Sequence, residues 1–170
     1  MNFRDLTAED VEVRVQSTTE KGVTLLLYKN ARVDMNVLDE TVGVERWQRE
    51  HYECKGNLYC RVGIKCDNEW IWKSDCGSES NTDAEKGEAS DSFKRACVNW
   101  GIGRELYTAP FIFATILNKE GQVQVNVKDK KCKDKFFVGK IEIKDKRIVK
   151  LVIGNRTTGK WCYSWQAPNV

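Results

Sequence analysis

The segment Glu88–Gly103 constrains the fold more than any other stretch of the sequence. It reads Glu-Ala-Ser-Asp-Ser-Phe-Lys-Arg-Ala-Cys-Val-Asn-Trp-Gly-Ile-Gly. At about 100° per residue, Ala89, Phe93, Ala96, Cys97 and Trp100 fall on one apolar stripe. Lys94 lies about a quarter turn from that stripe and Arg95 points nearly opposite it. The helix is expected to begin near Ala84, with Thr82 or Asp83 as its cap and Glu85 complementing its dipole. Gly101 and Gly103 end it, and Pro110 excludes a simple continuation. Gly87 weakens the first turns by up to about 1 kcal/mol relative to alanine. Such a helix suits docking by one face while its other side offers positive charge to a phosphate backbone.

Period-two alternation marks the strands. Val11, Val13 and Val15 alternate with Glu12, Arg14 and Gln16, which predicts a half-buried strand. Thr24–Tyr28 is a short apolar run that fits either a strand or the opening of a helix. Asn30 is a candidate cap for a helix over Ala31–Val42 that ends at Gly43, with Val33, Val37 and Leu38 on its apolar side. Glu45–Tyr52, Leu58–Lys65 and Trp70–Lys73 follow, separated by turn signals at Gly56-Asn57 and Asp67-Asn68, and predict a three-stranded antiparallel meander. Gly77–Asp83 is polar and small, and reads as a loop. After Pro110 the chain is strand-rich: Phe111–Leu117, Gly121–Val127, Lys135–Val138, Ile141–Lys144, Ile148–Ile153 and Trp161–Trp165, with a hairpin turn at Asp145-Lys146. The expected fold is α+β: a β-meander and helices (a β-β-β-α core) followed by a basic, β-rich C-terminal segment. One domain over residues 1–170 is expected, with a core at about 24–107 and an extension at about 111–170.

Charge is unevenly distributed. The chain carries a net charge of +3, yet Lys128–Lys150 holds ten Lys or Arg against four Asp or Glu. That asymmetry steers an anionic partner; the alternative is a lysine-rich edge strand that resists aggregation. No run approaches the roughly 18 apolar residues of a membrane span. The N-terminus lacks the apolar core of a signal peptide, so a cytoplasmic location is expected.

The seven cysteines are an odd number, without a Cys-x-x-Cys pair, and His51 is the single histidine. A complete disulfide framework and a structural zinc site are both disfavoured, and reduced, mostly buried thiols are expected. Cys54, Cys60 and Cys66 are separated by the Gly56-Asn57 turn and cannot share one strand face.

Catalytic signatures are absent. There is no dinucleotide fingerprint and no phosphate loop. His51 lies in a charged stretch and reads as a surface strand residue rather than a catalytic base. Glu69, Asp75, Glu85, Glu88 and Asp91 are available for a metal-dependent nuclease, but pairing of Glu88 and Asp91 with Lys94 or Arg95 accounts for the helical acids. Neither a cofactor nor a metal is expected. Nucleic-acid binding without catalysis needs cations for phosphate. Arg32, Lys65, Lys73, Lys94, Arg95 and Arg104 lie at element ends or on polar faces, whereas Trp47, Trp70, Trp72 and Trp100 read mostly as core.

Three motifs resemble the annealing domain of the Rad52/Rad22 single-strand annealing family, in a short form such as bacteriophages and mobile elements carry. The first is Glu88-Ala89-x-x-x-Phe93-Lys94-Arg95-Ala96, followed by Trp100-Gly101 and Leu106-Tyr107. The second runs from Ala31-Arg32-Val33 through Asn36-Val37-Leu38 to Val42-Gly43 and Trp47, and the third is Asp75-Cys76-Gly77. Beyond Pro110 the resemblance fades.

The resemblance implies rings of about ten or more subunits whose outer groove holds single-stranded DNA by its backbone and displays the bases for pairing, without ATP. It places groove cations at Arg32, Lys94 and Arg95; Lys65, Lys73, Lys86 and Arg104 are added from charge and position. The implied partners are single-stranded DNA and further copies of the chain, in a bacterial host cell. A single-strand-binding protein or an exonuclease of host or phage is a further candidate partner. Rival readings are a coat protein that does not anneal, a metal-dependent nuclease, and a protein-interaction module.

Overall fold

The computed structural model describes residues 1–78, 84–115, 123–126 and 128–168, with residues 84–86 described by their backbone alone. The expected caps Thr82 and Asp83 lie outside the described residues. The chain divides into two compact units: Met1–Arg4 with Asn30–Gly103, and Asp5–Lys29 with Arg104–Val170.

The first unit begins where Asn30 stops the chain from remaining extended. Its side-chain oxygen accepts from the Arg32 N–H at 2.9 Å, and helix α1 runs Ala31–Val42. Gly43, at φ 87°, donates its N–H to the Asp39 carbonyl and ends the helix. Val33, Val37 and Leu38 are buried as the stripe requires, and Arg4 pairs with Glu40 on the exposed side at 2.7 Å.

The meander is present and antiparallel: β3 (Trp47–Cys54), β4 (Asn57–Cys66) and β5 (Glu69–Cys76), in the order β3-β4-β5. The β3–β4 turn is built by Lys55 (φ 53°) and Gly56 (φ 75°), a pair of left-handed residues whose twist matches the flanking strands. Cys60, Val62 and Ile64 of β4 point to one face and have no exposed surface.

Helix α2 (Ala84–Trp100) covers that face, with Phe93, Ala96 and Cys97 fully buried. Trp100 closes the contact by donating its indole N–H to the Val62 carbonyl at 3.0 Å. Gly77 is where the loop after β5 meets α2. A Cβ there would lie 2.3 Å from the Glu88 carbonyl oxygen, so only glycine allows the approach. The Asp75-Cys76-Gly77 motif is therefore a packing requirement of this helix.

The second unit is a six-stranded antiparallel sheet in the order β6-β2-β1-β7-β8-β9. Its strands are β1 (Glu12–Thr19), β2 (Gly22–Tyr28), β6 (Ile112–Thr115), β7 (Phe136–Lys144), β8 (Arg147–Asn155) and β9 (Lys160–Gln166). Thr24–Tyr28 thus resolves as strand. Val23, Leu25, Leu27, Val138, Leu151 and Ile153 are buried within it.

A short 3-10 helix at Arg104–Thr108, not anticipated from the sequence, carries the buried Glu105, which accepts from the Leu6 N–H at 2.8 Å. Asn155 donates to the Asp134 carboxylate at 2.7 Å, and both are buried. Asp145 (φ 50°) and Lys146 (φ 58°) make the expected hairpin turn.

Two expectations are corrected here, and a third lies partly outside the described residues. Lys135–Val138 and Ile141–Lys144 are one strand, β7, whose register shifts between Val138 and Lys140. β7 and β8 are interior strands, so the basic segment is not a protective edge; the edges are β6 and β9. The strand expected over Gly121–Val127 lies partly outside the described residues, and its described part holds one isolated bridge, Asn126 to Lys131.

The thiols are also less covered than expected. None of the seven cysteines forms a disulfide, but only Cys60 and Cys97 are buried, and Cys54 is exposed. Cys54 sits on β3, an edge of the meander among the described residues. No described helix is long and apolar enough to cross a membrane.

Replacing Gly77 by alanine puts a methyl against helix backbone. The Gly77→Ala protein is expected to unfold at lower urea concentration, with a loss of about 1–3 kcal/mol, measured by circular dichroism of the full chain.

Candidate nucleic-acid interface

The cations nominated from the sequence fall into distinct settings. Arg32 stands in the first turn of α1, exposed and without a carboxylate partner among the described residues. Lys94 is half-buried on α2, likewise without an acidic partner. Arg95 is exposed, and its Nε donates to the Asp75 carboxylate of β5 at 3.3 Å.

Helical geometry separates the last two by about 100°. Arg95 leans to the β5 flank of α2, where Asn99 also donates to the Ser74 carbonyl at 3.0 Å. Lys94 lies on the other flank, toward β3.

Lys73 is committed internally. Its ammonium lies 4.5 Å above the centre of the Trp100 ring and donates to the Asn99 carbonyl at 2.9 Å. It fastens the C-terminal end of α2 to the sheet. Lys65 is exposed, but it pairs in register with Trp70 and so points away from α2. Arg104 is exposed in the second unit. The Lys86 side chain lies outside the described residues. The first unit therefore brings Arg32, Lys94 and Arg95 to its helical side and leaves Lys65 on the opposite sheet face.

One cation was missed in the sequence. Arg49 of β3 is exposed, and its guanidinium lies 4.6 Å above the Phe93 ring, on the α2 side of the sheet. Trp47, two residues earlier on the same face, stacks on Phe93 at 6.1 Å and donates its indole N–H to Asp39 of α1 at 2.6 Å. The period-two spacing Trp47-x-Arg49-x-His51 carried the signal. Reading it required knowing which face α2 covers.

His51 belongs to this face too. Its Nε2 lies 3.0 Å from the Ala89 carbonyl of α2, which corrects its reading as a surface strand residue.

Two of the helical acids hold backbone groups of other elements, and the Glu85 side chain lies outside the described residues. Glu88 accepts from the Leu58 N–H at 3.0 Å, and Asp91 accepts from the Ser78 N–H at 3.2 Å and from its hydroxyl at 3.1 Å. Those contacts, not pairing with Lys94 or Arg95, fix the two helical carboxylates. Among the described residues no group of three His, Cys, Asp or Glu side chains is placed to hold a metal ion. Burial pushes the Cys60 and Cys162 thiols up to about 11, which keeps both protonated near neutral pH and poor as nucleophiles.

The tryptophans split. Trp47, Trp72 and Trp100 are half-buried, whereas Trp70 is exposed on the face of the meander that α2 leaves open. There Arg61 lies 4.6 Å above the Trp72 ring and pairs with Glu50 at 2.6 Å.

Residues 3–125 match a family model described as Rad52/22 family double-strand break repair protein. No curated protein and no solved structure is significantly similar to the chain.

Because Lys73 is a fastening of α2, Lys73→Ala is expected to lose about 1–2 kcal/mol of stability. Thermal unfolding checks this, and the loss should persist without any nucleic acid present.

Proposed function

The chain belongs to the Rad52/22 family of double-strand break repair proteins and serves DNA recombination and repair, and from that premise we propose that it binds single-stranded DNA and anneals complementary strands without ATP. Proteins of this family are non-catalytic annealing factors. What supports the finer reading is that the packed helices α1 and α2 carry Arg32 and Lys94. These are two cations on adjoining helices of one unit, neither neutralised by an acid among the described residues. Arg95 and Arg49 add to them, at one flank of α2 and above Phe93.

Annealing has a simple electrostatic requirement. Two polyanions approach each other only when part of the phosphate charge is neutralised, and the bases must remain free to pair. Lysine and arginine contacts to phosphate neutralise charge without reading sequence. A cationic groove continued from subunit to subunit of a ring extends this neutralisation along the strand, and we include such self-assembly in the proposal. Lys65 and Arg104 remain candidate phosphate contacts outside the helical cluster.

Salt dependence provides the test. Annealing of complementary oligonucleotides, followed by fluorescence, should be accelerated at low salt and fall steeply as salt rises. Arg32→Ala, Lys94→Ala and Arg95→Ala should each slow it and reduce the salt slope of single-strand binding by about 0.7 per lost phosphate contact. No acceleration by the wild type, or three variants indistinguishable from it, defeats the reading. Binding without acceleration identifies a coat protein.

A further inference from the structure

The second unit carries an aromatic surface that the annealing reading does not use, and its strands β7, β8 and β9 follow residue 125, the last residue matched by the family model. Strand register places Tyr28, Glu12, Phe137, Gly154 and Trp161 on one line across β2, β1, β7, β8 and β9. Directly paired residues share a sheet face, so these side chains emerge together. It is the face opposite that of Val138 and Ile153, which are buried.

Trp161 does not stand away from this face. It leans over two glycines. A Cβ at Gly139 would lie 2.3 Å from its ring, and a Cβ at Gly154 would lie 2.5 Å from the Phe137 ring and 3.1 Å from Trp161. Any side chain at either position would displace a ring. Glycine inside a strand weakens it, and here two central strands each carry one, where it clears space for the Trp161 and Phe137 rings. The two rings sit 5.7 Å apart. Even so, Trp161 remains 59% exposed.

Cations surround the rings. The Arg156 guanidinium lies 4.7 Å above Phe137, and Arg14 lies 5.4 Å from the centre of the Tyr28 ring. Lys140 and Lys150 lie further along β7 and β8 on the same side. Two acids share the face: Glu142, which pairs with Lys140 at 2.7 Å, and Glu12, which accepts from the Tyr28 hydroxyl. Next to the rings, β1 and β7 pair over just two residues, and a cleft of about 760 Å³ opens at this seam, lined by Arg14, Tyr28, Phe137 and Arg156 among others.

An exposed indole, with the half-buried Phe137 ring tilted at 47° beside it and cations around it, matches one ligand chemistry well. An unpaired nucleobase offers a π-face for stacking, and its phosphates offer the negative charge. Double-stranded DNA hides its base faces, and an ordinary protein surface lacks the regular anionic charge.

We propose that this face is a base-stacking platform for single-stranded nucleic acid, in which an unpaired base stacks on Trp161 while Arg156 and Lys140 hold the adjoining phosphates. The proposal rests on the single-strand-binding reading and adds to it a contact that requires bases, whereas the helical cations require only backbone.

The two contacts separate by ligand. Binding of the full chain is measured by fluorescence anisotropy with a labelled oligothymidylate and with an abasic strand of equal length. The wild type should prefer the base-bearing strand by about 10-fold. Trp161→Ala should abolish the preference while leaving abasic binding unchanged, and Trp161→Phe should retain most of it. Trp161→Leu, which still covers the two glycines but offers no π-face, should behave as the alanine variant does and guards against misfolding. Arg32→Ala and Lys94→Ala should weaken both strands alike.

Equal wild-type binding to the two strands overturns the platform and leaves the backbone reading intact. A full preference retained in both Trp161→Ala and Trp161→Leu overturns it as well, as would a protein partner that occupies this face without any base-dependent DNA binding. Absence of binding to either strand overturns both readings.

Discussion

Phe93 has no exposed surface because Trp47 stacks against its ring from β3 while the Arg49 guanidinium lies 4.6 Å above it. Trp47 in turn donates to Asp39 of α1. One buried ring thus fixes three elements against each other: the helix that carries Arg32, the strand that carries Arg49 and the helix that carries Lys94. Truncating a phenylalanine of this kind costs about 3–5 kcal/mol. The roll of α2 about its axis follows from the same contact. With Phe93 pointing inward, Lys94 must fall toward β3 and Arg95 toward β5, where Asp75 receives it. The candidate phosphate contacts are therefore set by core packing and not by the mutual repulsion of surface charges.

Local chemistry was legible in the sequence wherever it is decided within a few residues. The Asn30 cap and the Gly43 stop of α1 depend on neighbours in the chain, and both stand where the sequence puts them. The α2 stripe and the meander turns are of the same kind. Long-range pairing was not legible. The basic segment 128–150 alternates as well on an interior strand as on an edge strand, and only the register of β7 with both β1 and β8 distinguishes them. The contacts of Lys73 and Arg49 were not legible for one reason. A cation's role depends on which aromatic ring lies across the sheet from it, and a single strand's sequence does not name that ring. The close approach of the chain to α2 at Gly77 was not legible either, because its partner, the Glu88 carbonyl, lies in another element.

The interior position of β7 and β8 changes what their charge means. Lysines on an edge strand block unwanted pairing, and an interior strand has no open edge to protect. From the start of β7 to Lys150 the cations exceed the acids by three, and the rest of the basic excess precedes β7. Lys140 pairs with Glu142, which that difference already counts, and Asp5 offsets Lys146 from outside the segment, which leaves an excess of about two. Like charges on neighbouring strands destabilise the sheet that bears them. A polyanion bound there would relieve that repulsion, so its binding and the stability of this sheet are thermodynamically coupled. Gly139 and Gly154 also weaken the same sheet, the first to make room for the Trp161 indole and the second chiefly for the Phe137 ring. A surface that is both over-charged and under-filled is poorly accounted for by its own stability. Both features are accounted for by a ligand with a negative backbone and a flat face.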